Sequence, residues 1–319
     1  MTISDSLIKS AKRKRGETLR KPQWLKVNIP SGETVQFVSS TKSQRQLHTV
    51  CESALCPNRH ECWSSGTATF MLMGDTCSRA CAFCAVKSAK AIDNLDSLEP
   101  EKLADAVNTL KLNYVVLTSV TRDDLPDGGA EHLAKCVTAI KNLLPEVLVE
   151  ILIPDFQGDI SALRTIVESP VDVIAHNVET VERLTQKVRD PRANYHQSLT
   201  VLQNIKRMDP TKFTKSSIMV GVGETFDEII ESFEDLRAVE CDFLTIGQYL
   251  RPTLKHMKVE KYIHPDIFDI YKDKALKHGF KYVASGPLVR SSYKAGELFI
   301  ENLIKEKKIL QNNTYIQLL

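Results

Sequence analysis

From residue 67 onward, short apolar runs alternate with amphipathic stretches. Thr67 to Gly74 reads as a first strand. Leu103, Ala106, Val107 and Leu110 follow with helical spacing, and Tyr114 to Val120 reads as a second strand. Leu133, Val137, Ile140 and Leu144 share the face of a next helix. Further strands are predicted at Leu148–Pro154, Val171–His176, Ser217–Val222 and Phe243–Tyr249, with Tyr282–Gly286 as an additional short one. Helices fill the gaps, with Pro210 closing the one before the fifth strand and Thr225 capping the one after it. Near-continuous apolar strands alternating with helices indicate a parallel sheet covered by helices. Six such repeats predict an α/β fold of partial (β/α)6 TIM-type barrel form, with chemistry at the C-terminal ends of the strands.

Composition narrows this picture little. Hydrophobic residues make up 42% of the 319, enough for a large core, and the net charge of +2 gives no general attraction to nucleic acid or membrane. No apolar run approaches the ~20 residues of a membrane span. Met1 to Lys26 is basic, with Lys9, Lys12, Arg13, Lys14 and Arg15 among its cations, against Asp5 and Glu17. It reads as a solvated arm; a mitochondrial transit peptide or a docking arm for an acidic partner are the alternatives. A secretory h-region is lacking, so a cytoplasmic, reducing location is expected, where cysteines bind metal or catalyse rather than form disulfides.

The eight cysteines are the informative residues, because six fall between positions 51 and 84. Cys77, Cys81 and Cys84 form C-x3-C-x2-C directly after the first strand, on the expected active face. Three thiolates on one short loop can hold three irons of a cubane cluster and leave the fourth open to a small molecule. Cys51, Cys56 and Cys62 form C-x4-C-x5-C. They read as a second iron–sulfur site needing a distant fourth ligand, or as a zinc site completed by His60. Cys136 lies on an apolar helix face and Cys241 precedes a buried strand, so both are expected to be inert thiols. His48, His132, His196, His256, His264 and His278 show no metal spacing. Arg122, Asp123, Asp124 and Asp127 form a polar loop after the second strand, for ligand contact, solvation or helix capping.

The C-x3-C-x2-C loop after a first strand resembles the signature of the radical S-adenosylmethionine (SAM) superfamily. That resemblance implies a [4Fe–4S] cluster whose open iron chelates SAM and whose electron generates a 5′-deoxyadenosyl radical. It implies cofactor contacts from Phe83, from the ribose-type segment Asn177-x-Glu179, and from Gly221, Gly223 and Glu224 after the fifth strand. A loop anchor (Phe83) and an ordinary turn (Gly221–Glu224) are the plain alternatives. The two triplets together with Arg290-Ser291-Ser292-Tyr293 are similar to the lipoyl synthase family. So are Arg20-Lys21-Pro22-x-Trp24, Thr67-Ala68-Thr69-Phe70, Thr118-Ser119-Val120-x-Arg122-Asp123-Asp124 and Gly247-Gln248-Tyr249-Leu250. The similarity runs from about residue 20 to about 296 and implies Ser292 as fourth ligand of an auxiliary [4Fe–4S] cluster. It further implies sulfur insertion at C6 and C8 of an octanoyl-lysine, with that cluster as sulfur source. The implied partners are octanoylated lipoyl carrier domains (E2 subunits or H protein), an electron donor and a cluster-repair protein. On this reading 1–65 is an extension carrying auxiliary ligands, 66–286 the barrel, and 287–319 a C-terminal segment; both extensions close the barrel mouth. The segment Ala89-Lys90-Ala91-Ile92-Asp93 departs from the family, which usually has a glycine and a proline there.

Overall fold

A computed structural model describes residues 19–26, 33–64, 69–90, 93–292, 302–304 and 306. The basic positions before 19, together with Thr67, Ala68, Ala91, Ile92, Tyr293 and the tail beyond 306, lie outside the described residues.

The strands are β1 (His48–Thr49), β2 (Thr69–Leu72), β3 (Thr76–Cys77), β4 (Lys87–Ser88), β5 (Tyr114–Ser119), β6 (Leu148–Leu152), β7 (Val173–Ala175), β8 (Phe213–Val220), β9 (Phe243–Gln248) and β10 (Tyr282–Gly286). Eight of them form one sheet in the order β1-β2-β5-β6-β7-β8-β9-β10. Only the β1–β2 edge pair is antiparallel; every other pairing is parallel. The spatial order follows the chain without reversing, as in a barrel and unlike a doubly wound sheet. Helices Glu99–Thr109, Ala130–Leu143, Ile160–Glu168, Tyr195–Met208, Phe226–Ala238 and Pro265–Lys277 make the crossovers. These are the six expected β/α units, and Tyr282–Gly286 adds a further parallel strand in register with β9. β1 and β10 end the order, and among the described residues no pairing joins them. The result is consistent with a partial TIM-type barrel. No helix among the described residues is long and apolar enough to cross a membrane.

Local signals set the helix ends. Thr225 and Glu228 form a reciprocal capping box, and Tyr195–Met208 stops just before Pro210. Asp127 accepts the N–H groups of Gly129 and Glu131 at the start of Ala130–Leu143, so capping is the role it plays.

Period-2 alternation puts every second residue inside the sheet and layers the interior. Tyr114, Leu148, Val173, Phe213 and Phe243 form an apolar base, which Ile304 covers. This differs from the expectation that the C-terminal segment only closes the mouth: residues 287–292 are at the mouth, but Ile304 is buried against the opposite end. An apolar Leu303-Ile304 pair gains more from the bare base than from a polar mouth. Above the base, Lys215 pairs with Glu150 at 2.7 Å, and the Tyr114 hydroxyl donates to the same carboxylate. That pair explains why β8 begins at Phe213, earlier than the apolar pattern suggests. A buried lysine beside Thr214, Ser216 and Ser217 makes a strand look like a loop. Thr118, Ser217, Met219 and Gly247 form the top layer, which opens into a cavity.

Candidate metal and cofactor site

Met73 and Gly74 take left-handed φ angles of 65° and 91° and turn the chain out of β2 into the loop carrying Cys77, Cys81 and Cys84. β3 and β4 pair across the base of that loop. Under the turn, Glu99 accepts the Met73 N–H and meets His132 Nε2 at 2.6 Å. His132 has no metal spacing in the sequence and is a buried histidine satisfied by Glu99; its ring nitrogen, the Glu99 carboxylate and the Cys136 sulfur lie within 4.8 Å of one another. They prop the turn from inside the core.

Arg79, between the first two cysteines of the loop, is buried. Its guanidinium makes a fork on Asp123 (2.8 and 2.9 Å) and another on Asp155 (2.8 and 2.7 Å). The loop is thereby bolted to the ends of β5 and β6. A second strap comes from Asp190 and Arg192. Asp190 accepts the Ala80 N–H at 2.8 Å, and Arg192 donates to the Ser78 carbonyl at 2.8 Å. The Arg192 hydrogen bonds hold the Asp190 carboxyl well below the usual range.

Backbone N–H groups are aimed at sulfur. Cys77 Sγ accepts from Arg79 and Thr121 at 3.4 and 3.3 Å, and Cys81 Sγ accepts from Asp190 at 3.3 Å. Burial, reinforced by Cys81 and Cys77, pushes the Cys84 thiol up to about 12. Such crowded thiols become thiolates only beside compensating cations, while N–H donors favour the charged form. Soft sulfur donors, three to a loop, with amide hydrogens pointing at them, fit an iron–sulfur cluster with one open corner.

Of the second triplet, Cys51 sits on the short helix Val50–Ser53 and Cys62 on Arg59–Ser64, with Cys56 on the connection between them. Burial and the neighbouring Cys51 and Cys56 push Cys62 to about 12. Asn58 is buried and donates to the Leu288 carbonyl at 2.6 Å, tying this triplet to the segment that carries Ser291 and Ser292. Arg290 Nη1 donates to the carbonyls of Gln248 and Val289 and makes no ion pair among the described residues. Gly247 permits this close approach, since a Cβ there would come within 2.1 Å of the Val289 carbonyl oxygen. Gly247→Ala is therefore expected to lower stability by about 1–3 kcal/mol, read as a shifted urea midpoint of the metal-free chain.

All six cysteines, with Ser291 and Ser292, line one cavity of about 480 Å³. Phe83, Asn177 and Glu179 line it as well. Asn177 Nδ2 donates to Glu179 Oε1 at 3.0 Å. Glu179 has φ 67°, a conformation that costs a side-chain-bearing residue about 1 kcal/mol. Burial raises its pKa, opposed by the Asn177 amide and the Arg189 charge. Arg189 is a residue that periodicity and motif spacing did not single out. It is buried on the cavity wall and donates from Nη1 to the Ser198 hydroxyl at 2.8 Å, with no carboxylate ion pair among the described residues. His176 completes this wall, pushed down to about 4 by burial and by Arg189, so its ring is neutral near pH 7.

Gly221, Gly223 and Glu224 are placed differently. None lines the cavity. The Glu224 carboxylate accepts the N–H groups of Gly221, Val222 and Gly223 at 2.6 to 3.0 Å, so it stabilises its own turn. Gly221 packs so tightly that a Cβ would meet Gln248 Nε2 at 2.1 Å. In the polar loop after β5, Arg122 pairs with Asp124, and Asp123 with Arg79 and Arg192, while Arg122 Nη1 is buried without a hydrogen-bond partner among the described residues. Cys136 and Cys241 are fully buried in the core, as their sequence settings suggest. His60, the alternative zinc ligand, meets Arg59 Nη2 at 3.3 Å through its Nε2 and does not line the cavity.

Comparison with known proteins adds independent findings. Residues 71–236 match the Radical SAM superfamily model, and residues 3–56 match the N-terminal domain of lipoyl synthase of the radical SAM family. Mitochondrial lipoyl synthase of Homo sapiens is 52% identical over 302 residues, covering 93% of this chain and 81% of that protein. Chloroplastic lipoyl synthase of Ricinus communis is 51% identical over 298 residues, covering 92% and 82%. These organellar names lend no support to the cytoplasmic location expected from the sequence. Among solved structures, Streptococcus suis SuiB bound to S-adenosylmethionine superposes with a TM-score of 0.54 at 11% identity, covering 71% of this chain and 53% of that one. That likeness concerns the fold.

Proposed function

This chain belongs to the lipoyl synthase family of the radical SAM superfamily, and on that premise we propose that it is a sulfurtransferase acting on a protein-bound octanoyl chain. Two sulfur atoms would enter, at C6 and C8 of an octanoyl-lysine on a lipoyl carrier domain such as an E2 subunit or H protein. The observation that carries the reading is that both cysteine triplets and Ser292 face a single cavity.

Superfamily membership implies one [4Fe–4S] cluster and SAM; a second, auxiliary [4Fe–4S] cluster belongs to the proposal. In our reading Cys77, Cys81 and Cys84 hold the first, and Cys51, Cys56, Cys62 and Ser292 hold the second. When bound, the first would supply the electron that makes a hydrogen-abstracting radical from SAM, and the second would supply sulfide.

The chain's own residues divide the remaining work. Arg79 and Asp190 hold the cluster loop in place, with Cys77, Cys81 and Cys84 lining the cavity, where they would hold the first cluster. Asn177 and Glu179 can take a vicinal diol, since a carboxylate accepts from both hydroxyls. Arg189 can pair with a ligand carboxylate, which would supply the anion its guanidinium lacks on this wall. Phe83 offers a flat apolar surface for a purine. The Gly221–Glu224 turn acts through Gln248, positioning the end of β9 rather than touching the cofactor. Val50, Leu55, Met71, Val86, Leu152 and Met219 give the cavity an apolar side suited to an eight-carbon chain.

The proposed division at 65 and 287 follows: the extensions bring auxiliary ligands to a barrel that holds the cofactor. An electron donor and a cluster-repair protein complete the partners, since a consumed cluster must be rebuilt; neither nucleic acid nor membrane takes part. A reducing compartment is required, and cytoplasmic placement is checked by fractionation.

The test is an anaerobic reaction of protein reconstituted with isotopically labelled sulfide, followed by mass analysis of an octanoyl-lysine peptide. Label gained by the peptide supports the reading; label gained only by free octanoate overturns it. Cys56→Ala is expected to keep part of the SAM cleavage while sulfur insertion falls by about a hundredfold or more.

A further inference from the structure

We propose that Arg251–Lys258, with Leu254 at its tip, is the surface on which the acylated partner docks, and that this partner is a protein domain acidic around its modified lysine. The proposal rests on the reading of the substrate as protein-bound.

Leu254 is 80% exposed and Leu55 59%, the two highest values among the large apolar residues described. Both belong to the mouth. Leu55 lines the cavity itself, and Leu254 follows the cavity-lining Leu250-Arg251-Pro252. An exposed leucine on a flexible loop would mean little. This loop is tightly organised: Arg251 Nε donates to the His256 carbonyl at 2.9 Å, and its Nη2 donates to that of Leu254. Tyr249 donates to the Met257 carbonyl at 2.9 Å.

The loop is also fastened to the cluster loop. Met257 N–H donates to the Ala82 carbonyl at 3.1 Å, and His256 Nε2 meets the Cys84 carbonyl at 3.0 Å. A carbonyl can only accept, so Nε2 carries a hydrogen, and Nδ1 lies 2.9 Å from the Thr253 hydroxyl. A preorganised apolar knob at the entrance to an active site loses little conformational entropy on binding and suits an interface anchor.

Charge identifies the occupant. From Phe243 through Val259 the chain has no aspartate or glutamate, yet it carries Arg251, Lys255 and Lys258. Lys255 and Lys258 are exposed and have no ion-pair partner among the described residues. Lys21, also exposed, lines the same cavity. A basic surface alone would suit any polyanion. Its junction with a half-apolar cavity selects an anionic partner that threads an acyl chain inward, which a protein-borne octanoyl-lysine does.

The test uses the cluster-loaded enzyme with Leu254→Ser and with the double variant Lys255→Glu, Lys258→Glu. Neither side chain set lines the cavity. Affinity for an octanoylated carrier domain is measured by direct binding, and KM is measured both for that domain and for a short octanoyl-lysine peptide. Each variant is expected to weaken carrier binding by about tenfold or more, with the peptide KM unchanged. For the double variant, a carrier whose acids beside the lysine are changed to lysine should regain binding. Unchanged carrier affinity, equal losses on carrier and peptide, or tighter binding of the wild type to anionic vesicles than to the carrier would overturn the proposal. Binding is read apart from turnover. An enzyme that binds the carrier through this loop but adds no sulfur would therefore sink the catalytic reading and leave the docking surface intact.

Discussion

Cys77→Ala is expected to reduce SAM cleavage by about a hundredfold or more, which corresponds to roughly 2.7 kcal/mol or more of lost transition-state stabilisation. Of the three cysteines on the loop, Cys77 is the one whose sulfur receives two backbone N–H groups, from Arg79 and Thr121. Alanine removes the ligand and leaves two part-buried donors without their acceptor. The measurement is 5′-deoxyadenosine formed per chain under anaerobic conditions with excess reductant, alongside iron and sulfide content. Retained cleavage at the wild-type rate would show that another group serves as the third ligand. Contrast with Cys56→Ala makes the pair diagnostic, because one variant should stop all chemistry and the other only the sulfur transfer.

Arg79→Met should cost about 3–5 kcal/mol of folding stability, the usual penalty for stripping the partner from a buried charge. The Asp155 side chain has no exposure, and the Arg79 fork is its only ion pair among the described residues. Asp123 keeps Arg192 at 3.1 Å, so the damage falls mainly on Asp155. The sign with pH follows from the carboxyl. In the wild type, burial pushes the Asp155 pKa up, but the hydrogen bonds and charge of Arg79 outweigh it, and the net shift is below the ordinary 3.8. That contribution is fully present above 3.8 and is lost as pH falls through the lower folded value. In the variant burial, the largest influence, is opposed by the Gln157 N–H and His176 alone, so the folded pKa is expected to move above the ordinary value and stability to fall as pH rises past it. The gap between the two proteins should accordingly be widest near neutral pH and narrow in acid. Urea unfolding of the metal-free proteins at a series of pH values reads it directly. A gap that does not change with pH would mean that Asp155 finds another partner.

The contrast between these two predictions marks where sequence reasoning stops. Cys77, Cys81 and Cys84 could be named from spacing because eight consecutive residues can present three thiols to one cluster whatever the fold around them. Arg79 lies inside the same motif, yet its spacing says nothing of Asp123 and Asp155. The fork exists only because β5 and β6 are neighbours in the sheet. Arg189 was missed for a related reason. A cation in the run Lys187-Val188-Arg189-Asp190 looks like solvated surface, and burial is a property of what packs over it. Glu224 differs in the opposite direction. Its motif drew attention to a carboxylate that three N–H groups of its own turn already satisfy.

Strand and helix alternation follows from side-chain period, which each segment carries within itself, so the six β/α units and Tyr282–Gly286 could be read without coordinates. Thiol chemistry is likewise intrinsic to residue type and short spacing. What the linear chain could not determine was convergence. Asn58 holds Leu288 across 230 positions, and thereby Ser292 shares a cavity with both triplets. That juxtaposition depends on the curvature and strand order of the sheet, on the missing side chain of Gly247, and on a hydrogen bond whose partners are neighbours only once the barrel has formed. Local periodicity is encoded by single segments, whereas a shared cavity is the property of their packing together.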